Sequence, residues 1–320
     1  MQDLARSPLH PRALRYLAAV AQLGSVQAAA REVSISASAV DRQILLLEES
    51  LGVPLFERQP RGMRLTAAGE MLLAMSQRWR SDLARTLSDI LQLQGVNQGQ
   101  LRLAAMDSHA NGLLPDFVLA LARDHPGITL TVEITSPDDA AERLRSGKVE
   151  LAVAFNLRPQ RELNLLWSAE LPLGCAMAAD HPLAGRPSAS LEEVAAWPLV
   201  AQSRALAIRQ YLERRHAWLL QASRPVVATN SLQMLKCLLG SGGHVALTSE
   251  LDVGPELLEG RLAFVPLRDA SAAPQTVAVA TAASRPLPRI ARIVGERLAE
   301  HVQAYLARIR TRQGAGVAGA

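Results

Sequence analysis

The chain has 320 residues, 49% of them hydrophobic and 20% charged, which gives room for two or three domains and excludes a disordered chain. Two cysteines, Cys175 and Cys237, exclude a disulfide framework or zinc ribbon and fit a reducing cytoplasm, and 3% aromatics argue against single-strand binding by base stacking. A net charge of +4 permits a nucleic-acid partner without requiring one, and no apolar run reaches the roughly 20 residues of a membrane span.

The opening MQDLARSPLHPRAL has no apolar core followed by a small-residue cleavage site, so no secretory signal is expected. Lys148 and Lys236 are the only lysines among 34 basic residues. Arginine suits bidentate contact with phosphate or guanine, although a GC-rich genome gives the same bias.

Residues 12–94 carry helical periodicity. Pro11 suits a first turn, Leu14, Leu17, Ala18 and Ala21 share one face, and Gly24 stops the helix. Ser25 is placed to cap VQAAAREV. After the break Ser34-Ile35-Ser36, Ser36 is placed to cap ASAVDRQILLLEESL, with Val40, Ile44, Leu47 and Leu51 inward and Gly52 as its end. Two short helices, a tight break and a longer helix match a helix-turn-helix, a pattern shared by small bundles that bind nothing.

VPLFERQPRGMRLT then reads as two short strands about the turn Gln59-Pro60-Arg61-Gly62. This wing carries Arg58, Arg61 and Arg64 with only Glu57 opposing, and such a hairpin can straddle phosphates while the third helix enters the major groove. Thr66 is placed to cap a helix over about 67–94. Its stripe Leu72, Met75, Trp79, Leu83, Leu87 and Ile90 suits either a helix–helix seam or packing on its own chain. Gly95-Val96-Asn97-Gln98-Gly99 reads as a hinge.

Residues 12–75 resemble the N-terminal domain of LysR-type transcriptional regulators. The resemblance rests on Leu14-Arg15-Tyr16, Gly24-Ser25, Ala28-Ala29-Ala30, Arg42-Gln43-Ile44, Leu47-Glu48, Leu51-Gly52-Val53-Pro54-Leu55-Phe56-Glu57-Arg58, Leu65-Thr66 and Gly69-Glu70, in that order and spacing. It implies that Ala37, Ser38, Asp41 and Arg42 face bases or backbone of double-stranded promoter or operator DNA. Ser25 and Ser36 can cap helices, meet phosphate, or do both. The family more often has glutamine, proline and serine at the positions of Ala37, Ser38 and Asp41, so the operator does not transfer from relatives. Asp41 can accept from cytosine N4 or simply hold Arg42 in place. The resemblance also implies a homodimer through the linker helix, a tetramer built from two dimers, contact with RNA polymerase, and a cytoplasmic, nucleoid-bound protein.

Beyond residue 98 the pattern is α/β. QLRLAAM, ITLTVEIT (Ile128, Leu130, Val132 and Ile134 on one side) and LAVAF read as strands separated by helices. The first of those helices has Pro115 in its first turn, and Ser136-Pro137-Asp138-Asp139 starts the second. That order implies a parallel sheet. A second set includes a capping box of Ser190 and Glu193, strands PLVAQ, PVVAT and HVALTS, and helices SRALAIRQYLERR and SLQMLKCLL. TVAVATA and a final helix over about 288–310 return to the first set, and Gly314–Ala320 reads as a frayed end.

Two lobes joined by two crossings resemble the type 2 periplasmic-binding-protein fold, the family's effector domain. The expected division is 1–66 for the winged helix-turn-helix, 67–97 for the linker helix and hinge, and 98–320 for the regulatory domain. Within the last, lobe 1 takes about 98–168 and 269–320, and lobe 2 about 169–268. In such a fold a small-molecule effector sits between lobes at strand ends and helix starts. Ser108, Thr135, Ser136, Phe155 and Asn156 occupy those places in lobe 1, and Ser203, Arg204, Asn230 and Thr248 in lobe 2. The hydroxyls and Arg204 suit a carboxylate or similar anion, whereas Asp107 would repel one and each serine can equally be only a cap.

No GxSxG, HExxH, P-loop or GxGxxG context supports catalysis, and neither cofactor nor metal ligand set is implied. A cysteine-based redox sensor of the same family and a free solute-binding protein are the alternatives. Cys175 and Cys237 have no local pair, and a solute-binding protein would have no use for the wing.

Overall fold

Side-chain caps and left-handed glycines punctuate the N-terminal helices. In the computed structural model, which describes residues 11–59, 62–93, 99–157, 161–204, 206–223, 225–283 and 287–317, α1 (Arg12–Leu23) follows Pro11 and closes on Gly24 at φ 65°. Ser25 Oγ accepts the Ala28 N–H at 3.3 Å to start α2 (Val26–Glu32), and Ser36 Oγ accepts Ala39 N–H at 3.3 Å to start α3 (Ala37–Leu51). Strands β1 (Phe56–Gln59) and β2 (Gly62–Leu65) pair antiparallel from Phe56–Leu65 to Gln59–Gly62. The Glu48 carboxylate fixes the base of this wing to α3 by accepting the Leu55 and Phe56 N–H groups at 2.7 and 3.2 Å. Met63 donates its N–H to Gly24 O at 2.8 Å. Residue 62 must be glycine there, because it has φ 133° and a Cβ would lie 2.3 Å from Gly24 O. Thr66 Oγ1 donates to Pro54 O and accepts from Gly69 N–H, opening α4 (Ala67–Leu93) as expected.

Leu14, Leu17, Val20, Val40, Ile44 and Leu55 make the core of this first unit. Val20, rather than Ala21, completes the buried face of α1. Leu47 is half-buried, and Leu51 is 50% exposed in the last turn of α3, so the inward face ends earlier than the spacing suggests.

The second unit begins with β3 (Gly99–Ala105), α5 (Asp107–Ala110), α6 (Leu113–Asp124), β4 (Ile128–Ile134), α7 (Pro137–Ser146) and β5 (Leu151–Phe155). β6 (Leu163–Leu171) and β7 (Leu173–Ala178) follow, separated only by Pro172. Next come α8 (Leu191–Ala195), β8 (Val200–Gln202), α9 (Ala207–Arg215), α10 (Ala217–Ala222), β9 (Val227–Thr229), α11 (Leu232–Gly240) and β10 (Val245–Ser249). The chain ends with α12 (Gly254–Leu258), β11 (Leu262–Pro266), β12 (Gln275–Ala282) and α13 (Arg289–Val317).

Lobe 1 holds a sheet in the order β4-β3-β5-β12-β6. β3 pairs parallel with β4 and β5, as the βαβαβ pattern predicts, whereas β12 runs against both β5 and β6. The sheet is therefore mixed, because β12 is the strand on which the chain returns from lobe 2. Ile128, Leu130 and Val132 pack toward the core, but Ile134 at the strand end is 49% exposed. Helices α6 and α13 contribute Phe117, Leu121, Val294, Leu298 and Tyr305 to the buried cluster on this sheet.

In lobe 2, β7 lies between β10 and β11, antiparallel to both, and a Leu199–Val245 bridge joins the parallel pair β8–β9 to β10. Lobe 2 has its own core of Leu173, Cys175, Met177, Leu191, Leu219 and Leu247. The chain crosses between lobes at Pro172 and again between β11 and β12.

β6, β11, α10 and α12 had no counterpart in the sequence pattern. α9 starts at Ala207 rather than at Ser203. α13 continues through Gly314 to Val317, so an end expected to fray is helical that far. Residues 94–98 of the expected hinge, together with Pro60 and Arg61, lie outside the described residues. Among the described residues no helix is long and apolar enough to cross a membrane.

Candidate nucleic-acid interface and interlobe site

The third helix presents its N-terminal face outward. Ser36, Ser38 and Arg42 are exposed, Ala37 and Asp41 partly so, while Val40 and Ile44 hold the opposite face in the core. Ser36 Oγ and Ser38 Oγ share a hydrogen bond at 3.1 Å, so the cap of α3 and the next exposed hydroxyl form one polar edge. Ser25 caps α2 and is half-buried. From the wing, Arg58 has 76% of its side chain exposed, and Arg64 is exposed across the hairpin from Glu57. Arg61 lies outside the described residues.

Asp41 has a partner that sequence alone did not supply. Its carboxylate accepts from Arg58 at 3.4 Å, linking the exposed face of the third helix to the wing. The expectation that it would hold Arg42 paired it with a residue one position away on the same helix. Side chains at consecutive helical positions diverge, whereas β1 brings Arg58 across.

On α4, Leu72 packs on the first unit's core. Met75, Trp79 and Ile90 are 36%, 46% and 47% exposed, and Leu83 and Leu87 are half-buried. The stripe is real, and its outer part is not covered within the first unit.

Between the lobes, the expected residues separate into three groups. Ser108, Phe155 and Thr248 are buried. Thr135 and Ser203 are half-buried beside strand ends; Thr135 N–H donates to Ala105 O and Ser203 N–H to Thr229 O. The others have internal duties or stand in solvent. Ser136 caps α7 through Asp139 N–H. Asn156, at φ 51°, ties β5 to β12 by accepting from Thr276 N–H at 3.0 Å and donating to Gln275 Oε1. Arg204 is 83% exposed and donates to both carboxylate oxygens of Glu213, and Asn230 is exposed. Ser203 is not a helix cap, because α9 begins after it and Leu206 occupies the cap position.

The buried group extends to residues that the pattern did not single out. Thr248 Oγ1 donates to Asp252 Oδ2 at 2.5 Å, Ser249 N–H donates to the same oxygen at 3.1 Å, and Gln202 Nε2 donates to Thr248 Oγ1 at 3.4 Å. Burial raises the Asp252 pKa, opposed by these donors, by the charge of Lys236 and by the nearby Ser108 hydroxyl. Ser108 Oγ nevertheless reaches no hydrogen-bonding geometry with any partner. Ser108 belongs to lobe 1 and Asp252 to lobe 2, so this cluster bridges the lobes.

Next to it, His109 stacks on Phe155 with ring centroids 5.4 Å apart. Its Nδ1 accepts the Met106 N–H, which leaves the proton on Nε2, buried without a partner. Burial lowers its pKa to about 3. Unsatisfied buried polar atoms are uncommon, and Ser108 and His109 place two of them at one lobe boundary. Asp252 and His109 take hydrogen-bond partners three or four residues away. They were beyond sequence reasoning because the groups that set them at the lobe boundary, Ser108 and Lys236 for Asp252 and Phe155 for His109, lie far away in the chain. A buried polar residue after a strand end was the only available cue.

A family model described as LysR substrate binding domain matches residues 94–303, and one described as bacterial regulatory helix-turn-helix protein, lysR family, matches residues 11–70. The SDS degradation transcriptional activation protein of Pseudomonas sp. (strain ATCC 19151) is 31% identical over 264 residues, which cover 80% of this chain and 84% of that protein. The RuBisCO operon transcriptional regulator of Allochromatium vinosum is 30% identical over 253 residues, covering 78% and 83%. In fold, the chain is similar to full-length CbnR, solved in complex with its target DNA, at TM-score 0.61 and 20% identity over 92% of this chain and 99% of that one. The chain belongs to the LysR family of transcriptional regulators. It thus joins a helix-turn-helix DNA-binding domain to an effector-binding domain, and the two relatives are named as transcriptional regulators rather than enzymes.

Proposed function

We propose that residues 1–66 read double-stranded operator DNA, that 67–97 pair two copies, and that 98–320 bind the small effector that sets the regulatory state. Arg42 carries the base-reading role, with Ala37, Ser38 and Asp41 beside it, Ser25 and Ser36 toward phosphate, and Arg58, Arg61 and Arg64 on the backbone from the wing. The observation that supports this most is the outward face of α3, where Ser36, Ser38 and Arg42 stand exposed next to the exposed Arg58.

The exposed outer stripe of α4 supports a homodimer, which sets two recognition helices on a two-fold for two half-sites. A tetramer of two such dimers, contact with RNA polymerase and a cytoplasmic, nucleoid-bound location follow from the family. The effector site we propose is the interlobe boundary at Ser108, Thr135, Phe155, Ser203 and Thr248, with effector binding biasing the lobes and through them the arrangement of subunits. The half-buried Asp252 beside Ser108 favours an effector that brings a hydrogen-bond donor over a bare carboxylate.

A gel-shift titration against the gene's upstream region, with genomic selection as a second source of sites, tests the DNA role. Salt-sensitive binding that resists competitor is expected. Arg42→Ala should abolish specific binding while leaving effector affinity intact. Loss of both together would refute this division of labour. Ser108→Ala or Thr135→Ala should change inducer response at unchanged basal operator affinity.

A further inference from the structure

Leu45 is an apolar side chain on the polar, displayed face of α3. It is 45% exposed in the third turn of that helix. It takes no part in the core of the winged unit, where Val40, Ile44 and Leu47 hold the opposite side of α3. Leu45 follows Ser38 by seven positions, Asp41 by four and Arg42 by three, the spacings that stack side chains on one helical face. It therefore stands in one column with the exposed Ser38 and Arg42, next to the partly exposed Asp41 that Arg58 of the wing reaches.

A single exposed leucine is ordinary on a protein surface, and what sets this one apart is its place. A protein partner seated on Leu45 would also cover Ser38 and the Arg42 guanidinium, and would have to pair both. Duplex DNA suits all three. Ser38 and Arg42 hydrogen-bond to phosphate or base edges, and leucine, with no donor or acceptor, meets the one apolar group of the major groove, the 5-methyl of thymine. At a rise of 1.5 Å per residue, Leu45 lies about 10 Å along the helix from Ser38, which is about three base pairs of duplex. Glu49, four positions further along the column and exposed, repels phosphate, so Leu45 is its last member suited to the groove. Leu46 is equally open, at 46%, but is rotated about 100° from Leu45.

We propose that Leu45 is a specificity-determining residue that packs on the 5-methyl group of a thymine in each operator half-site, close to the base contacted by Arg42. The proposal rests on the reading of α3 as the recognition helix and adds a contact of a different kind, apolar rather than hydrogen-bonded. Cytosine at the same position is disfavoured, because it lacks the methyl and presents an N4 amine that leucine cannot accept from. Two copies on a two-fold place two such contacts on one operator.

The test uses duplexes recovered by genomic selection with the full-length protein. Each thymine of the bound half-sites is replaced in turn by deoxyuridine, which keeps its base pairing and loses only the methyl. Gel-shift affinities are measured for the wild type, Leu45→Ala and Leu46→Ala. The wild type and Leu46→Ala should weaken about fourfold at one thymine per half-site, the worth of one buried methyl-sized group, and about fifteenfold with both half-sites substituted. Leu45→Ala should bind the thymine and deoxyuridine duplexes alike at that position. Leu45 is exposed and outside the core, so its truncation should leave the unfolding midpoint unchanged. Specific binding with no thymine of this kind overturns the proposal, as does equal sensitivity of the wild type and Leu45→Ala, or loss of sensitivity in Leu46→Ala instead. A fall in the affinity of Leu45→Ala that is uniform across sequences and comes with a smaller assembly in sedimentation makes Leu45 a protein contact and overturns it too. No specific binding of the wild type to any selected duplex would refute the recognition-helix reading itself, an outcome distinct from failure at Leu45 alone.

Discussion

Arg42, Ser38 and Arg58 of the winged unit stand in solvent, while in the regulatory unit Ser108 and Thr248 are buried and Asp252 is half-buried at a lobe boundary. The two sets answer different physical demands. Phosphates are a long-range target approached from outside, and exposed guanidiniums reach them with little desolvation. A small molecule enclosed between lobes is recognised by a few polar groups in a low-dielectric setting, where each hydrogen bond counts for more and each unpaired atom costs more. Display therefore serves affinity for a large partner, and concealment serves selection of a small one. Perturbing a concealed pair should change stability first, and perturbing a displayed one should change binding first.

The largest expected effect tests the concealed side. Lys236→Met leaves the buried Glu256 carboxylate with only the distant, exposed Arg261, and should destabilise the regulatory unit by about 3–5 kcal/mol. Lys236→Met combined with Glu256→Leu removes both charges and should recover most of that loss, read by urea unfolding. If the double variant is no more stable than the single one, packing rather than an orphaned charge explains the defect. In the winged unit the comparable vulnerability lies in the core. Leu17 is fully buried, and Leu17→Ala should cost about 2–5 kcal/mol. Operator binding should fall with the unfolding of that unit, at unchanged unfolding of the regulatory unit.

A smaller effect at neutral pH, with a clear sign, comes from His109. The folded protein holds its pKa near 3, against 6.5 for an ordinary histidine. Below 6.5 the unfolded chain takes up a proton that the folded one refuses, so stability is full above 6.5 and is lost as pH falls toward 3. His109→Gln removes this titration, and melts across that interval should show a shallower decline than the wild type. An unchanged slope would mean that His109 is hydrated in solution. Asp252 acts in the opposite sense. Its raised pKa makes stability fall as pH rises from the ordinary carboxylate range to that raised value, so the two groups should be separated by variants before the slope is assigned.

Legibility in the sequence followed the range of the interaction. The caps at Ser25, Ser36, Thr66, Ser136 and Ser190 each need an N–H only three residues away, and all five are present. The wing register is similarly local, and the parallel pairing of β3 with β4 and β5, although it joins residues distant in the chain, follows from the βαβαβ order. Leu51 and Ala21 misled because periodicity states which face a residue takes and not where the covering element ends. Arg204 looked available to an anion because Glu213 lies nine positions on, beyond a loop that the sequence joined to the helix. Lys236, Glu256 and Asp252 were invisible because their significance depends on burial and on one another.

The smallest stability effect and the most informative binding effect belong to Asp41. Its bond to Arg58 is long, at 3.4 Å, with Arg58 well exposed and Asp41 partly so, and Asp41→Asn should change unfolding free energy by less than about 1 kcal/mol. Its position on the displayed face gives it a second effect. The carboxylate holds one wing arginine toward the third helix and repels phosphate at the same time. Asn keeps the shape, removes the repulsion and frees Arg58 for the backbone. Affinity for non-specific duplex should therefore rise, and the dependence of log affinity on log salt should steepen, by up to about one unit if Arg58 gains a full phosphate contact. Preference for the operator over competitor should fall if Asp41 reads a cytosine, because the sequence-dependent contact is lost while the uniform one grows. Unchanged preference with raised affinity would instead reduce Asp41 to a tether for Arg58, and leave Arg42 as the base reader on that face.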